Sequence, residues 1–185
     1  MPGATFKTNT SSISRCAARV ACCALLMLPA LASVQEPKLR SLQAYRPQDH
    51  YMRHAGFVGR VGPTKTELDV RDAKFRVVPG LADKNCVSFE STNVRDHYFK
   101  HAFGRIVLAK RLDEQKFRED ATFCIVWGLH KTTRSGVDAM SFRSFNFPDR
   151  YIRHRNFELW LDPFENTSLY RDDATFFMVK SAANE

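Results

Sequence analysis

The 185-residue sequence predicts an all-β fold, a β-trefoil of three pseudo-repeats, and three observations carry that prediction. A basic phrase recurs as Tyr51-Met52-Arg53-His54, Tyr98-Phe99-Lys100-His101 and Tyr151-Ile152-Arg153-His154. Each copy has an acidic echo, Asp72-Ala73-Lys74-Phe75, Asp120-Ala121-Thr122-Phe123 and Asp173-Ala174-Thr175-Phe176, at His-to-Asp separations of 18, 19 and 19 residues. Between these phrases apolar residues alternate with polar ones, the period of half-buried strands, and no segment sustains a helical stripe with caps. Self-similarity at this spacing marks supersecondary units that bury their apolar faces only together.

The elements of one unit follow in order. A first strand is clearest as Val87-Ser88-Phe89-Glu90-Ser91 and Met140-Ser141-Phe142-Arg143-Ser144. Asn93 and Asp96, and in the next copy Asn146, Pro148 and Asp149, mark a turn before the Tyr-x-Arg/Lys-His strand. A third strand, Phe157-Glu158-Leu159-Trp160-Leu161, runs into a polar loop, and Ala174-Thr175-Phe176-Phe177-Met178-Val179 closes the unit. Three such units are too few for a propeller, and an open array would expose its ends, so closure into a barrel with a hairpin cap is the remaining solution. Phe75, Phe123 and Phe176 then converge on the barrel axis as core. The repeats are placed at 39–82, 86–130 and 138–180, within a domain spanning 39–185.

Ahead of the repeats, Lys7, Arg15 and Arg19 precede an apolar run from Val20 to Leu31 that ends in Ala30-Leu31-Ala32. The run is too short to cross a bilayer comfortably, and small residues close it, so 1–32 reads as a cleaved secretory signal and 33–38 as a short linker. A transit peptide, which the serines would suit, is the next reading and a signal anchor the third. Cleavage removes Cys16, Cys22 and Cys23 and lowers the formal charge from +8 to +5. Cys86 and Cys124 remain, either as one disulfide or as two buried thiols. The basic excess is scattered, which argues against nucleic acid as a partner.

Packing does not require the polar repeats. Leu would serve a core where His54, His101 and His154 stand, and an imidazole or carboxylate buried without partners costs several kcal/mol. Each His is therefore expected to meet its Asp (Asp72, Asp120 or Asp173) at the mouth of a shallow pocket. The competing reading gives both residues structural work, His bonding a carbonyl and Asp capping a turn. Two ligands per copy fall short of a Zn site, so neither metal nor cofactor is expected.

The phrases from Ser144 to Asn156, Leu159 to Pro163 and Asp173 to Phe176 resemble the arabinofuranose-binding domain of α-L-arabinofuranosidase B, the family 42 carbohydrate-binding module. Val77 to Asp83, Cys86 to Ser91 and Phe117 to Cys124 are similar to it as well, so the resemblance covers about residues 39 to 180. It implies a β-trefoil whose units each bind one arabinofuranose side chain of hemicellulose through His and Asp. It also implies a Cys86–Cys124 pair within the second unit. A carboxylate accepting from adjacent sugar hydroxyls contributes on the order of 1.5 to 3 kcal/mol, diluted in a wet site, and several sites on one body gain avidity on a polymer.

Tyr51, Tyr98 and Tyr151 are candidate apolar walls, with Asn156 a supporting residue, unless strand alternation turns the tyrosines inward. The third copy matches the family best. The second has Lys100 for Arg and Ala109-Lys110-Arg111 in place of an Asp-Pro turn, and the first departs further with Lys74 for Thr. The expected protein is a secreted, monomeric, non-catalytic module, with no membrane partner after signal cleavage. Arabinofuranosidase activity and a trefoil protein-interaction module are the alternatives. Asn166-Thr167-Ser168 is an N-glycosylation sequon before the third Asp.

Overall fold

Strand alternation shapes nearly all of the computed structural model, which describes residues 1–3, 5 and 38–181. The expected signal and linker lie outside the described residues except for Met1–Gly3, Thr5 and Lys38. The first unit runs β1 (Lys38–Ala44), β2 (Tyr51–Ala55), β3 (Val58–Gly62), α1 (Glu67–Asp72) and β4 (Phe75–Pro79). The second runs β5 (Val87–Ser91), β6 (His97–Ala102), β7 (Arg105–Lys110), α2 (Gln115–Asp120) and β8 (Phe123–Trp127). A small hairpin of β9 (Thr133–Arg134) and β10 (Val137–Asp138) leads to the third unit. That unit comprises β11 (Met140–Ser144), β12 (Arg150–Arg155), β13 (Glu158–Pro163), α3 (Ser168–Asp173) and β14 (Phe176–Lys180).

The fold is all-β in its framework. First and last strands of the units pair in a closed cycle, β1–β4–β5–β8–β11–β14 and back to β1, every pair antiparallel. The middle strands form hairpins β2–β3, β6–β7 and β12–β13, and β3, β7 and β13 pair mutually. Closure leaves no free edge on the ring, the feature that keeps antiparallel sheets from aggregating.

One face of each strand fills the interior. Matching positions contribute Leu42, Phe89 and Phe142; Met52, Phe99 and Ile152; Val61, Leu108 and Leu161; and Phe75, Phe123 and Phe176, all buried in one cluster. The Phe142 ring meets Phe89 edge-on at 5.1 Å, which joins the second and third units, and lies 5.9 Å from Phe176 of its own unit. At a fifth position Ile106 and Leu159 match Gly59, where a Cβ would come within 2.9 Å of the Ile106 carbonyl oxygen.

The polar loop expected before each Asp is instead a six-residue helix. Thr66 and Thr167 cap α1 and α3, and Thr66 forms a capping box with Asp69. Less than two turns give no hydrophobic stripe to read, which is why periodicity misses them.

Candidate functional site

Each acidic motif residue is the last residue of its helix, and each motif His lies on the neighbouring hairpin, so the fold brings the pairs together. His54 Nε2 is 3.3 Å from Asp72 Oδ1, His101 Nε2 is 3.2 Å from Asp120 Oδ1, and His154 Nε2 is 3.6 Å from Asp173 Oδ1. The pairs sit deeper than the sequence predicts: all six residues are buried, at 8% exposure or less. They lie below the surface and not at the mouth of a pocket, and protein groups take part of their bonding capacity.

Much of that bonding comes from the following unit. Asn146 Nδ2 donates to Asp120 Oδ1 at 2.9 Å, while its Oδ1 lies 2.9 Å from His101 Nε2. Facing two acceptors, that ring nitrogen must carry the proton, which leaves Nδ1 of a neutral imidazole as the free acceptor. Asn93 bridges Asp72 and His54 in the same way, at 2.7 and 3.1 Å. In the third copy the matching residue is Arg46, whose backbone carbonyl accepts from His154 Nε2 at 2.7 Å. Asn93 and Asn146 read as turn residues in the sequence, and only their recurrence two residues after Ser91 and Ser144 marks a second role.

The basic residue before each His is the other partner that sequence reasoning missed, although its recurrence was in plain view. Lys100 Nζ is 3.2 Å and Lys116 Nζ 3.3 Å from Asp120 Oδ2; Arg153 Nη2 donates to Asp173 Oδ2 at 3.3 Å. Arg53 leans instead on Asp69 at 2.6 Å and reaches Asp72 at 3.9 Å. Burial raises the Asp120 pKa, but the Asn146 amide, His101 and Lys100 outweigh it and hold the carboxyl below its ordinary value. At Asp173 burial prevails over Arg153, Asp172 adds to it, and the pKa is pushed up to about 6. Burial lowers the pKa of both His101 and His154.

Two pairs open into clefts. His101 and Asp120 floor one of about 440 Å³, walled by Phe103 and Phe147 with Lys116 and Arg150 at its sides. His154 and Asp173 floor another of about 560 Å³, lined also by Asn156, Phe157, Leu169 and Asp172. The tyrosines line neither cleft. Tyr98 packs on Phe117 and Ala121 beneath α2, Tyr151 meets Phe164 edge-on, and Tyr51 faces a separate depression beside Val70. Strand alternation gives each the same side as the basic residue two positions on, but Lys100 and Arg153 reach their clefts while Tyr98 and Tyr151 are taken up by aromatic contacts with Phe117 and Phe164. Asn166 is exposed just before the cap of α3 and accepts from Arg171. Cys86 and Cys124 form the disulfide, beside the β5–β8 pairing of the second unit.

Residues 40–179 match the model of the alpha-L-arabinofuranosidase B (ABFB) domain. The chain belongs to that family. An arabinofuranosidase/B-xylosidase of Trichoderma koningii is 30% identical over 91% of this chain, and an alpha-L-arabinofuranosidase of Hypocrea jecorina matches equally well. This chain spans about a third, 34%, of the length of those relatives. Among solved structures, an arabinofuranosidase complexed with arabinofuranosyl-alpha-1,2-xylobiose superposes with a TM-score of 0.70 and 25% identity, over 80% of this chain and 32% of that one.

Proposed function

We propose that this ABFB domain is a non-catalytic module that binds L-arabinofuranose side chains of arabinoxylan- or arabinan-type polysaccharides. The observation that carries the reading is the pair of clefts floored by His101 with Asp120 and by His154 with Asp173. A furanose ring lowered onto either floor meets a carboxylate, a neutral imidazole nitrogen and cationic donors, a set suited to adjacent hydroxyls. Asp173 holds fewer protein bonds than Asp120 and has more acceptor capacity for a sugar; His54 and Asp72, tied up with Asn93 and Arg53, rank last. Asn156 borders the third cleft as a further polar group.

Glycoside hydrolysis normally uses two carboxylates facing each other across the scissile bond; among the described residues Asp120 is the one carboxylate lining the second cleft, and Asp172 and Asp173 of the third are consecutive residues of one helix, which favours binding without cleavage. The closed six-strand ring and the three mutually paired hairpins support a β-trefoil built from repeats 39–82, 86–130 and 138–180. The disulfide and the signal-like segment support secretion, where Asn166 would be open to glycosylation.

Affinity electrophoresis tests the reading. Arabinoxylan, but not unbranched xylan, is expected to retard the protein, and Asp120→Ala and Asp173→Ala variants that still fold are each expected to lose part of that retardation. Full retention in both would return the carboxylates to a purely structural role.

A further inference from the structure

The three hairpins that carry the His motif end in two-residue turns of the same geometry but not of the same order. Gly56-Phe57 and Asn156-Phe157 place phenylalanine second, whereas Phe103-Gly104 places it first, and all six φ values lie between 50° and 78°. This is the type I′ turn, in which both central residues have positive φ. Where phenylalanine comes second, its ring docks on the following unit: Phe57 lies 5.7 Å from the His97 ring and Phe157 stacks 5.4 Å from His50.

The second unit breaks both halves of this arrangement. The residue matching His50 and His97 is Arg150, whose guanidinium lies 5.1 Å over Phe147 instead. Phe103 meets no other ring among the described residues and is fully exposed (104%), against 53% for Phe57 and 48% for Phe157. It nevertheless lines the cleft over His101 and Asp120. A bare aromatic face beside a polar floor suits a ligand with one apolar side, since such rings supply a large, rigid contact area.

We propose that Phe103 is a stacking platform for the sugar next to the one held over His101 and Asp120, so that the second cleft is a two-sugar site. The inference rests on the arabinofuranose reading of that cleft. The floor takes the furanose, and Phe103 takes the flat C–H face of the main-chain pyranose that bears it. Preference for a branched polymer over a free side-chain sugar then resides in the second unit, where the turn order frees the ring.

Calorimetric titration of the full chain with methyl α-L-arabinofuranoside and with arabinofuranosyl-xylobiose tests this. The branched trisaccharide is expected to bind about tenfold more tightly, and Phe103→Ala to remove most of that advantage while changing affinity for the monosaccharide by less than about twofold. Because the ring is outside the core, the melting temperature should not move. Exchanging the order through Phe103→Gly with Gly104→Phe is expected to remove the advantage as well. Equal affinity of the wild type for both sugars, or an unchanged preference in Phe103→Ala, overturns the platform. Failure of the wild type to bind either sugar overturns the underlying reading instead, and the platform with it.

Discussion

Asp120 and Asp173 occupy matching positions, yet their environments drive them in opposite directions. The Asn146 amide and Lys100 stabilise the Asp120 carboxylate, while burial, with no asparagine amide to offset it, pushes the Asp173 pKa up to about 6. Binding that relies on an acceptor carboxylate is therefore expected to weaken at the third cleft as pH falls through about 6, and to persist at the second. Affinity electrophoresis of Asp120→Ala and of Asp173→Ala between about pH 7.5 and about pH 5 separates the two responses. For stability the sign is also fixed. The raised Asp173 pKa contributes stability present below 3.8 and lost as pH rises through about 6. The lowered His101 and His154 values contribute stability present above 6.5 and lost as pH falls below it. Asn146→Ala strips a bond from both His101 and Asp120 and is expected to cost about 1–3 kcal/mol in denaturant unfolding. Arg46→Ala, which keeps its carbonyl, is expected to cost less than about 0.5 kcal/mol. The His and Asp of each site were legible in the sequence because they recur in all three copies. Asn146 was not, since it completes a site belonging to the preceding unit and its local context reads as a turn.

Each short helix positions its Asp by ending on it, so helix stability becomes site geometry. Thr66→Ala and Thr167→Ala remove side-chain caps and are expected to destabilise by about 1 kcal/mol each, with Asp72 and Asp173 less firmly held. Glu114 makes no side-chain cap hydrogen bond, and Glu114→Ala is expected to be neutral within about 0.5 kcal/mol in the same denaturation series. The strands were legible because an alternating pattern needs only five residues to show, as in Val87–Ser91. The helices were hidden because their information lies in caps and in one inward residue, such as Phe117 or Tyr170, with no repeating stripe. The tyrosines failed as cleft walls for a related reason: alternation assigns them a face but does not say which layer covers that face.

Across the whole molecule, the closed ring was predictable from repeat number and the need to bury edges, whereas the interlocking of the units was not. The disulfide joins residues 38 apart in sequence and ties the first and last strands of the second unit together. On the chain-entropy model a loop of that size contributes about 4 kcal/mol, so Cys86→Ser with Cys124→Ser is expected to lower the melting temperature by about 8–16 °C in calorimetry. The ring is finally sealed where β1 lies along β14, and Arg46, just beyond β1, contributes the carbonyl that holds His154. As the polypeptide emerges during synthesis, the earliest strand must wait for the latest one before that contact exists. A chain cut short ahead of β14 can neither shut the ring nor hold the third pocket in its finished shape, so that pocket takes form only when the last strand has been made.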